Sequence, residues 1–293
     1  EPSRRDATEE ARALMRALNL TLLAIVLIAA APASSGADRD VSDTGNGSAK
    51  TLTAREVTSL LFKAAPGSRP DLAASDLSRL DLADLDFKRA DLAQANLYGA
   101  DLSRAKLAGA NLAGARLDRA TITSADFSGA DLTGAHILRP TIFTTLDVRS
   151  AEAPRFTGAR LVGIRSDGWL DRTDFTGADL TGAVFGGGAS QEQTLFSPTS
   201  LIGADFTGAV LRNARFPSAH LKYARFVDAD LTGADLRGAD LRGADFTRAN
   251  LAGADMTGAN LDEADLRTAR GIDRIVGLNK AENLDDARFA GSP

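Results

Sequence analysis

Two histidines, His136 in the segment AHILR and His220 in AHLKY, are the residues best suited by type to proton transfer or metal ligation. Neither has the company that such chemistry needs. The chain has no cysteine, which removes thiol catalysis, disulfides and cysteine-bound metals together. No His-Glu-x-x-His pair and no Ser-His-Asp arrangement accompanies the histidines. Both fall in a slot otherwise held by Asp, so they read as surface residues, and no catalytic residue, metal ligand or cofactor is expected. A second candidate is the row Asp230, Asp235, Asp240 and Asp245, one carboxylate every five residues. A third is the sole tryptophan, Trp169, close to Arg165, Asp167 and Asp171. An aromatic among charges of both signs is the composition of a partner-contact point. The plainer reading is a local bulge in which Trp169 covers apolar surface.

Which of these residues can act together depends on the elements that carry them. From Pro70 the sequence runs PDLAA SDLSR LDLAD LDFKR ADLAQ ANLYG, with an apolar residue every five positions from Leu72 to Ile142 and again from Phe196 to Leu266. One α-helix cannot hold that period, because five residues at about 3.6 per turn rotate each Leu by roughly 140° from the last. A flat strand also fails, since its side chains alternate with period two. A corner in every pentad resolves the conflict. Three residues are extended, with Ala and Leu inward and Asp or Asn outward, and two residues turn through pairs such as Thr-Gly, Ser-Gly, Arg-Gly and Ala-Gly. Phe206, Phe226 and Phe246 recur at equal intervals, as do Phe196 and Phe216. Stacking large rings on large rings predicts four pentads per coil. Consecutive acids of the Asp230 row then lie on different sides, which spoils a shared cation site.

The pattern A-D/N-L/F-x-x resembles the pentapeptide-repeat family. The resemblance covers about two-thirds of the chain and implies an all-β solenoid, a right-handed quadrilateral β-helix from Pro70 to about Thr268. Coils at the interstrand spacing of about 4.8 Å, some eight or nine of them, give a rod on the order of 40 Å long. Both open ends need covers. Thr53-Ala54-Arg55-Glu56 has capping-box spacing, and Val57, Leu60, Leu61 and Ala64 share one helical face, so residues 53–66 are expected to form a capping helix. The tail from Gly271 to Phe289 leaves the repeat and is expected to form the second cap. In some members of the family the C-terminal end dimerises, which makes a homodimer through that end one expectation here.

The remaining boundaries follow from composition. Residues 1–37 are a charged extension followed by a secretory signal peptide, Met15 to Ala33 or Ala37, with an apolar run too short for a span of about 20 residues. An uncleaved anchor is the other reading of that run. Residues 38–52 read as a flexible linker, 70–144 and 195–268 as two repeat blocks, 145–194 as irregular repeats with loops, and 269–293 as the C-terminal cap and tail.

Aromatics are 5% of the chain, so the interior must be filled by small and aliphatic residues. A filled interior leaves no concave pocket for a substrate, and no enzyme is expected. The net charge of −5 argues against direct nucleic-acid binding. The expected role is an exported, periplasmic or secreted, non-enzymatic interaction or scaffold module whose partner is a protein or an envelope polymer. Two alternatives stay open. Relatives that bind type II topoisomerases imply a DNA mimic, against which stands the interleaving of acids with Arg212, Arg215, Lys222, Arg225, Arg237, Arg242 and Arg248. An uncleaved N-terminus implies a membrane-tethered effector.

Overall fold

The structure, a computed structural model, describes residues 50–142, 152–186 and 198–291. The chain divides into two units, Glu1–Gly47 and Ser48–Pro293, and every described residue belongs to the second. The expected signal peptide and most of the expected linker lie outside the described residues.

Each pentad is a short extended leg and a turn. In Ala130–Gly134, Ala130 and Leu132 are buried while Asp131 is half-exposed between them. The turn closes when Ala135 N–H donates to the Leu132 carbonyl at 2.9 Å, with Gly134 at φ 65°. A positive φ at the third turn residue is what a type II turn requires, and glycine meets it without steric cost. Asp131 Oδ1 accepts from Thr133 N at 2.9 Å and from Thr133 Oγ1 at 2.6 Å. The outward carboxylate therefore caps its own turn, which explains why Asp and Asn dominate that slot. The other backbone donors face along the axis: Leu132 N bonds to Arg160 O at 2.7 Å in the next coil and Asp131 N to Ala110 O at 2.9 Å in the previous one. Apart from its turns, every coil thus satisfies its backbone through its neighbours.

Four pentads complete a turn, and the four sides of this right-handed quadrilateral β-helix are named here by their first outward residues, Asp71, Asp76, Asp81 and Asp86. On the Asp71 side the parallel register runs through Asp91, Asn111, Asp131, Arg160, Asp179, Val210, Asp230, Asn250 and Arg270. That is more rungs than the uninterrupted repeats provide, because the irregular middle and the tail both keep winding.

In the middle the interior register holds while the chain length per coil changes. Partners 20 residues apart in the regular coils become 29 apart at Asp126↔Arg155, Asp131↔Arg160 and His136↔Arg165, 19 apart at Asp174, Asp179 and Val184, and 31 apart at Asp205, Val210 and Arg215. The extra residues enter at corners, after Ile142 and after Gly186. The short coil lacks one residue, in the tetrad Arg165-Ser166-Asp167-Gly168. There the legs lengthen into a three-stranded parallel sheet of β1 (His136–Leu138), β2 (Arg165–Asp167) and β3 (Val184–Phe185).

One aromatic column crosses the irregular region. Phe127, Phe156, Phe175, Phe206, Phe226 and Phe246 stack on the Asp86 side with centroids 4.8, 5.3, 5.0, 5.1 and 5.0 Å apart and planes within 11°. A second stack, Phe185 on Phe216 at 4.9 Å, meets the column edge to face at Phe175 and Phe206.

Both ends are covered. Helix α1 (Ala54–Lys63) starts at Thr53, whose Oγ1 accepts from Glu56 N while Glu56 Oε2 accepts from Thr53 N, the two halves of a capping box. It buries Val57 and Leu61, and Leu60 packs half-buried against the core. At the other end the tail stays in the solenoid instead of leaving it. Arg270, Val276, Glu282 and Arg288 pair with Asn250, Asp255, Asn260 and Asp265, so each side of the last coil spends six residues in place of five. The added residue turns each corner into a 3₁₀ turn: Ile272–Arg274, Leu278–Lys280 and Leu284–Asp286. Ile272, Ile275, Leu278 and Leu284 lie half-buried against the core.

Gly271 enters this last coil at φ 73°, and a Cβ there would sit 2.8 Å from Ala252 N and 2.9 Å from Ala252 Cα. Gly271→Ala is therefore expected to unseat the final coil, at about 1–3 kcal/mol. Trypsin cleavage at Arg274 and Lys280 should accelerate several-fold while the preceding coils stay protected. Unchanged cleavage would mean that the last coil does not depend on this close approach.

Candidate functional site

The tetrad that shortens one coil is also where the sequence places Arg165, Asp167, Trp169 and Asp171. With one residue fewer, the chain must turn immediately after Asp167, and Gly168 does so at φ 93° against the Arg139 backbone. Ser166 takes the inward slot usually filled by Leu. It is 2% exposed, and its Oγ donates to the Ile137 carbonyl at 2.9 Å. A serine fills less space than a leucine, and a packing gap with no room for a water molecule opens beside Ile137, Leu161, Leu170, Phe175 and Phe185. Thr173 and Thr199 stand nearby in Ala slots, fully buried, with hydroxyls that find no partner among the described residues. Each such hydroxyl costs roughly 1–3 kcal/mol, so these coils are less well built than those around them.

The four predicted contact residues separate by role. Asp167 Oδ1 accepts from Arg139 N at 2.6 Å, and Asp171 Oδ1 accepts from Ser200 Oγ at 2.5 Å and Ile202 N at 2.9 Å. Both carboxylates thus tie one coil to another. Arg165 and Trp169 occupy outward slots on the Asp76 and Asp81 sides, around the Gly168 corner from each other, and Trp169 is 66% exposed. The coil carrying Trp169 lies between the two length changes. These enter at the corners that bound the Asp81 side, one coil before Trp169 and one after it. The inserted residues 143–151 and 187–197 lie outside the described residues.

Two features escape a reading of the sequence. Tyr223, 62% exposed, stands at a corner with φ 57° and lies over Gly243 of the next coil. With Arg172, Asp174, Asp205 and Arg225 it lines an open depression of about 600 Å³, formed because Gly203 between Arg172 and Tyr223 has no side chain. Arg225 Nη1 donates to Asp205 Oδ2 at 3.2 Å there. Partial burial pushes the Asp174 carboxyl up, but the Thr176 hydroxyl and amide and the Thr157 hydroxyl outweigh it and hold the group below its ordinary value. The second feature is a column on the Asp76 side. Arg116, His136, Arg165, Val184 and Arg215 succeed one another in register. Spacings of 29, 19 and 31 hide that adjacency in the sequence.

His136 lies in this column, between Arg116 and Arg165, and His220 is exposed between Ser200 and Asp240. Among the described residues no three His, Asp or Glu side chains are grouped to hold a metal.

A family model described as pentapeptide repeats matches in eight copies, over residues 71–107, 100–137, 199–238 and 229–267. The gap between the matched blocks is the region of unequal coils. No curated protein matches. Among solved structures the chain is similar to HetL, a pentapeptide repeat protein involved in heterocyst differentiation regulation from Nostoc sp. strain PCC 7120, at 24% identity over 83% of this chain and 99% of that one, with a TM-score of 0.36. A pentapeptide repeat protein from the Arabidopsis thaliana thylakoid lumen is 32% identical over 42% of this chain and 70% of that one, with a TM-score of 0.24. Full-length QnrB1, a plasmid-mediated fluoroquinolone resistance protein, is 20% identical over 66% of this chain and 85% of that one, with a TM-score of 0.30. Eight matched copies on both sides of the unequal coils, wound through one register of inward Leu and Phe, make this chain a member of the pentapeptide-repeat family.

Proposed function

We propose that this protein is a non-enzymatic binding or scaffold module, exported to the periplasm or beyond, that engages a protein or envelope polymer along the outer sides of its solenoid. The filled interior carries this reading. Among the described residues from Phe87 to Leu266 the inward slots hold side chains almost wholly removed from solvent, so a partner must be met outside. Rigid, repetitive sides suit extended partners, although the fold alone does not name one. Export rests on the Met15–Ala37 sequence. The DNA-mimic alternative finds little support in the surface. Cross-coil pairs such as Arg104–Asp84 at 2.6 Å, Arg155–Asp126 at 3.0 Å and Arg248–Asp228 at 2.6 Å break up any uniform acidic field.

One experiment tests localisation and binding together. The host is fractionated, the mature N-terminus is determined, and a photo-crosslinker at position 169 captures whatever lies against the exposed tryptophan. The expected outcome is a soluble periplasmic form beginning between Ser34 and Asp38 that yields a discrete adduct. A cytoplasmic form retaining Met15 would overturn the proposal and make type II topoisomerase inhibition the next assay. A membrane-bound form retaining the segment would instead favour a tethered effector.

A further inference from the structure

The protein is acidic overall, with a net charge of −5, yet the middle of one side is not. On the Asp76 side the outward slots of successive coils hold Arg116, His136, Arg165, Val184 and Arg215. The corner that follows adds Arg119 and Arg139. Among the described residues these guanidinium groups share the surface with Asp235, one rung beyond Arg215, and with two carboxylates at the corner, Asp118 and Asp167. Both carboxylates are tied to backbone amides: Asp118 Oδ1 accepts from Leu138 N at 3.1 Å and Asp167 Oδ1 from Arg139 N at 2.6 Å.

The outward guanidiniums are only loosely engaged. Arg116 reaches Asp118 at 3.5 Å and Arg215 reaches Asp235 at 3.8 Å, both with more than half of their side-chain surface exposed. The tight pairs elsewhere on the solenoid close to 2.6 Å. On the other edge of this side the corner residues Gly114, Gly134, Gly163 and Gly182 carry no side chain, so among the described residues that edge is open from Arg116 to Val184, and Asn213 is the first corner side chain beside the column. Around the corner from Arg165 at Gly168, a corner in the same row as Arg119 and Arg139, stands Trp169, 66% exposed.

We propose that this column is a docking track for an acidic linear polysaccharide, a chain of carboxylate-bearing sugars lying along the solenoid axis. The proposal rests on the binding-module reading above and names the partner class. Coils rise by about 4.8 Å, so the arginines on alternate rungs, Arg116, Arg165 and Arg215, stand about 10 Å apart, close to the length of two pyranose rings in an extended chain, and every second carboxylate meets a guanidinium. Guanidinium pairs with carboxylate through two parallel hydrogen bonds. Trp169 offers the flat amphipathic ring on which the apolar face of a sugar stacks. The net negative charge of the whole protein repels a polymer as densely charged as duplex nucleic acid, with a charge about every 1.7 Å, whereas one charge per sugar matches a track only a few arginines long.

The test uses the full chain with oligogalacturonate as the probe, malto-oligosaccharide as the neutral control and oligo-dT as the competing polyanion. Trp169 is the sole tryptophan, so its emission reports binding at the edge of the track, and calorimetry gives the affinity independently. Oligogalacturonate is expected to change the emission and to bind more weakly as salt rises. The triple variant Arg116→Ala, Arg165→Ala, Arg215→Ala should weaken binding by about tenfold or more. Arg104→Ala and Arg248→Ala, on other sides, should leave it unchanged, and an unaltered melting temperature shows that each variant is folded. Three results would overturn the proposal: no binding of oligogalacturonate at low salt, binding indifferent to the triple variant, or tighter binding of oligo-dT. A protein adduct from position 169 together with no polysaccharide binding would remove this proposal and leave the module reading intact.

Discussion

Replacing Phe206 by alanine is expected to cost the solenoid about 3–5 kcal/mol, the largest effect anticipated for a single side chain here. Phe206 is fully buried, stacked between Phe175 at 5.0 Å and Phe226 at 5.1 Å, and met edge-on by Phe216. Its removal opens a cavity and breaks both stacks at once, each worth about 0.5–1.5 kcal/mol beyond its buried area. Neighbouring coils cannot slide in to fill the space, because the backbone register fixes their separation. Stability in a stacked array is roughly a sum over coils and their interfaces, so the loss should appear as a weakened link. Hydrogen exchange is predicted to show the coils around Phe206 opening well before those around Leu97. Phe206→Leu, which keeps most of the volume, should restore most of the loss. A uniform loss of protection from Leu72 to Leu266 would contradict the local picture.

Acid should weaken the whole array. The carboxyls of Asp235, Asp240 and Asp265 are held below their ordinary values chiefly by the guanidiniums of Arg237, Arg242 and Arg267 two residues on. For Asp126, Asp131 and Asp230 partial burial pushes upward, but the hydroxyls and amides of Ser128, Thr133 and Thr232 outweigh it, and the net direction is also down. A carboxyl whose folded pKa lies below its unfolded value stabilises the fold above the unfolded pKa, about 3.9 for Asp. That contribution is lost as the pH falls through the folded value. Each group is partly solvated and contributes little by itself, but the same turn recurs around every coil. The melting temperature is expected to be flat from pH 7 to about 5 and to fall by on the order of 10 °C by pH 3. The protein already contains the control, since Asn111 Oδ1 accepts from Ala113 N at 3.2 Å in the same slot. Asp131→Asn and Asp230→Asn together should lower stability slightly at pH 7, by the charge-dependent part that these two turns contribute, and reduce the acid-induced drop. A melting temperature unchanged at pH 3 would show that these turns do not depend on charge.

The pentad was legible because one residue type per slot satisfies three demands at once: Leu fills the interior, Asp caps the turn, and Gly takes the positive φ. The number of sides was legible from Phe206, Phe226 and Phe246 because a ring stacks best on a ring. Phe156 and Phe175 stand in the same column, but the spacings of 29, 19 and 31 concealed them, since a change of length at a corner leaves no mark on the inward residues. The tail misleads for a related reason. Ile272, Leu278 and Leu284 recur every six residues, a period that reads as a departure from five until the register shows each side merely one residue longer.

At the candidate site, composition singled out Trp169 but could not separate it from Asp167 and Asp171. Whether a carboxylate faces a partner or its own backbone depends on the tetrad at Arg165, and one missing residue is visible only once the coils are aligned. The same blindness hid the arginine column, whose members come from widely separated stretches of sequence.

The axial direction of the coil-to-coil hydrogen bonds has a mechanical consequence. A pull on the two ends of the solenoid loads the bonds of one interface at a time, so the array unwinds like thread from a spool. A regular coil of 20 residues releases about 70 Å of contour, and the lengthened coils, with partners 29 and 31 residues apart, release about 100 Å or more each. The unequal coils in the middle, with their buried unpaired hydroxyls, would mark two long extensions in an otherwise even staircase of force.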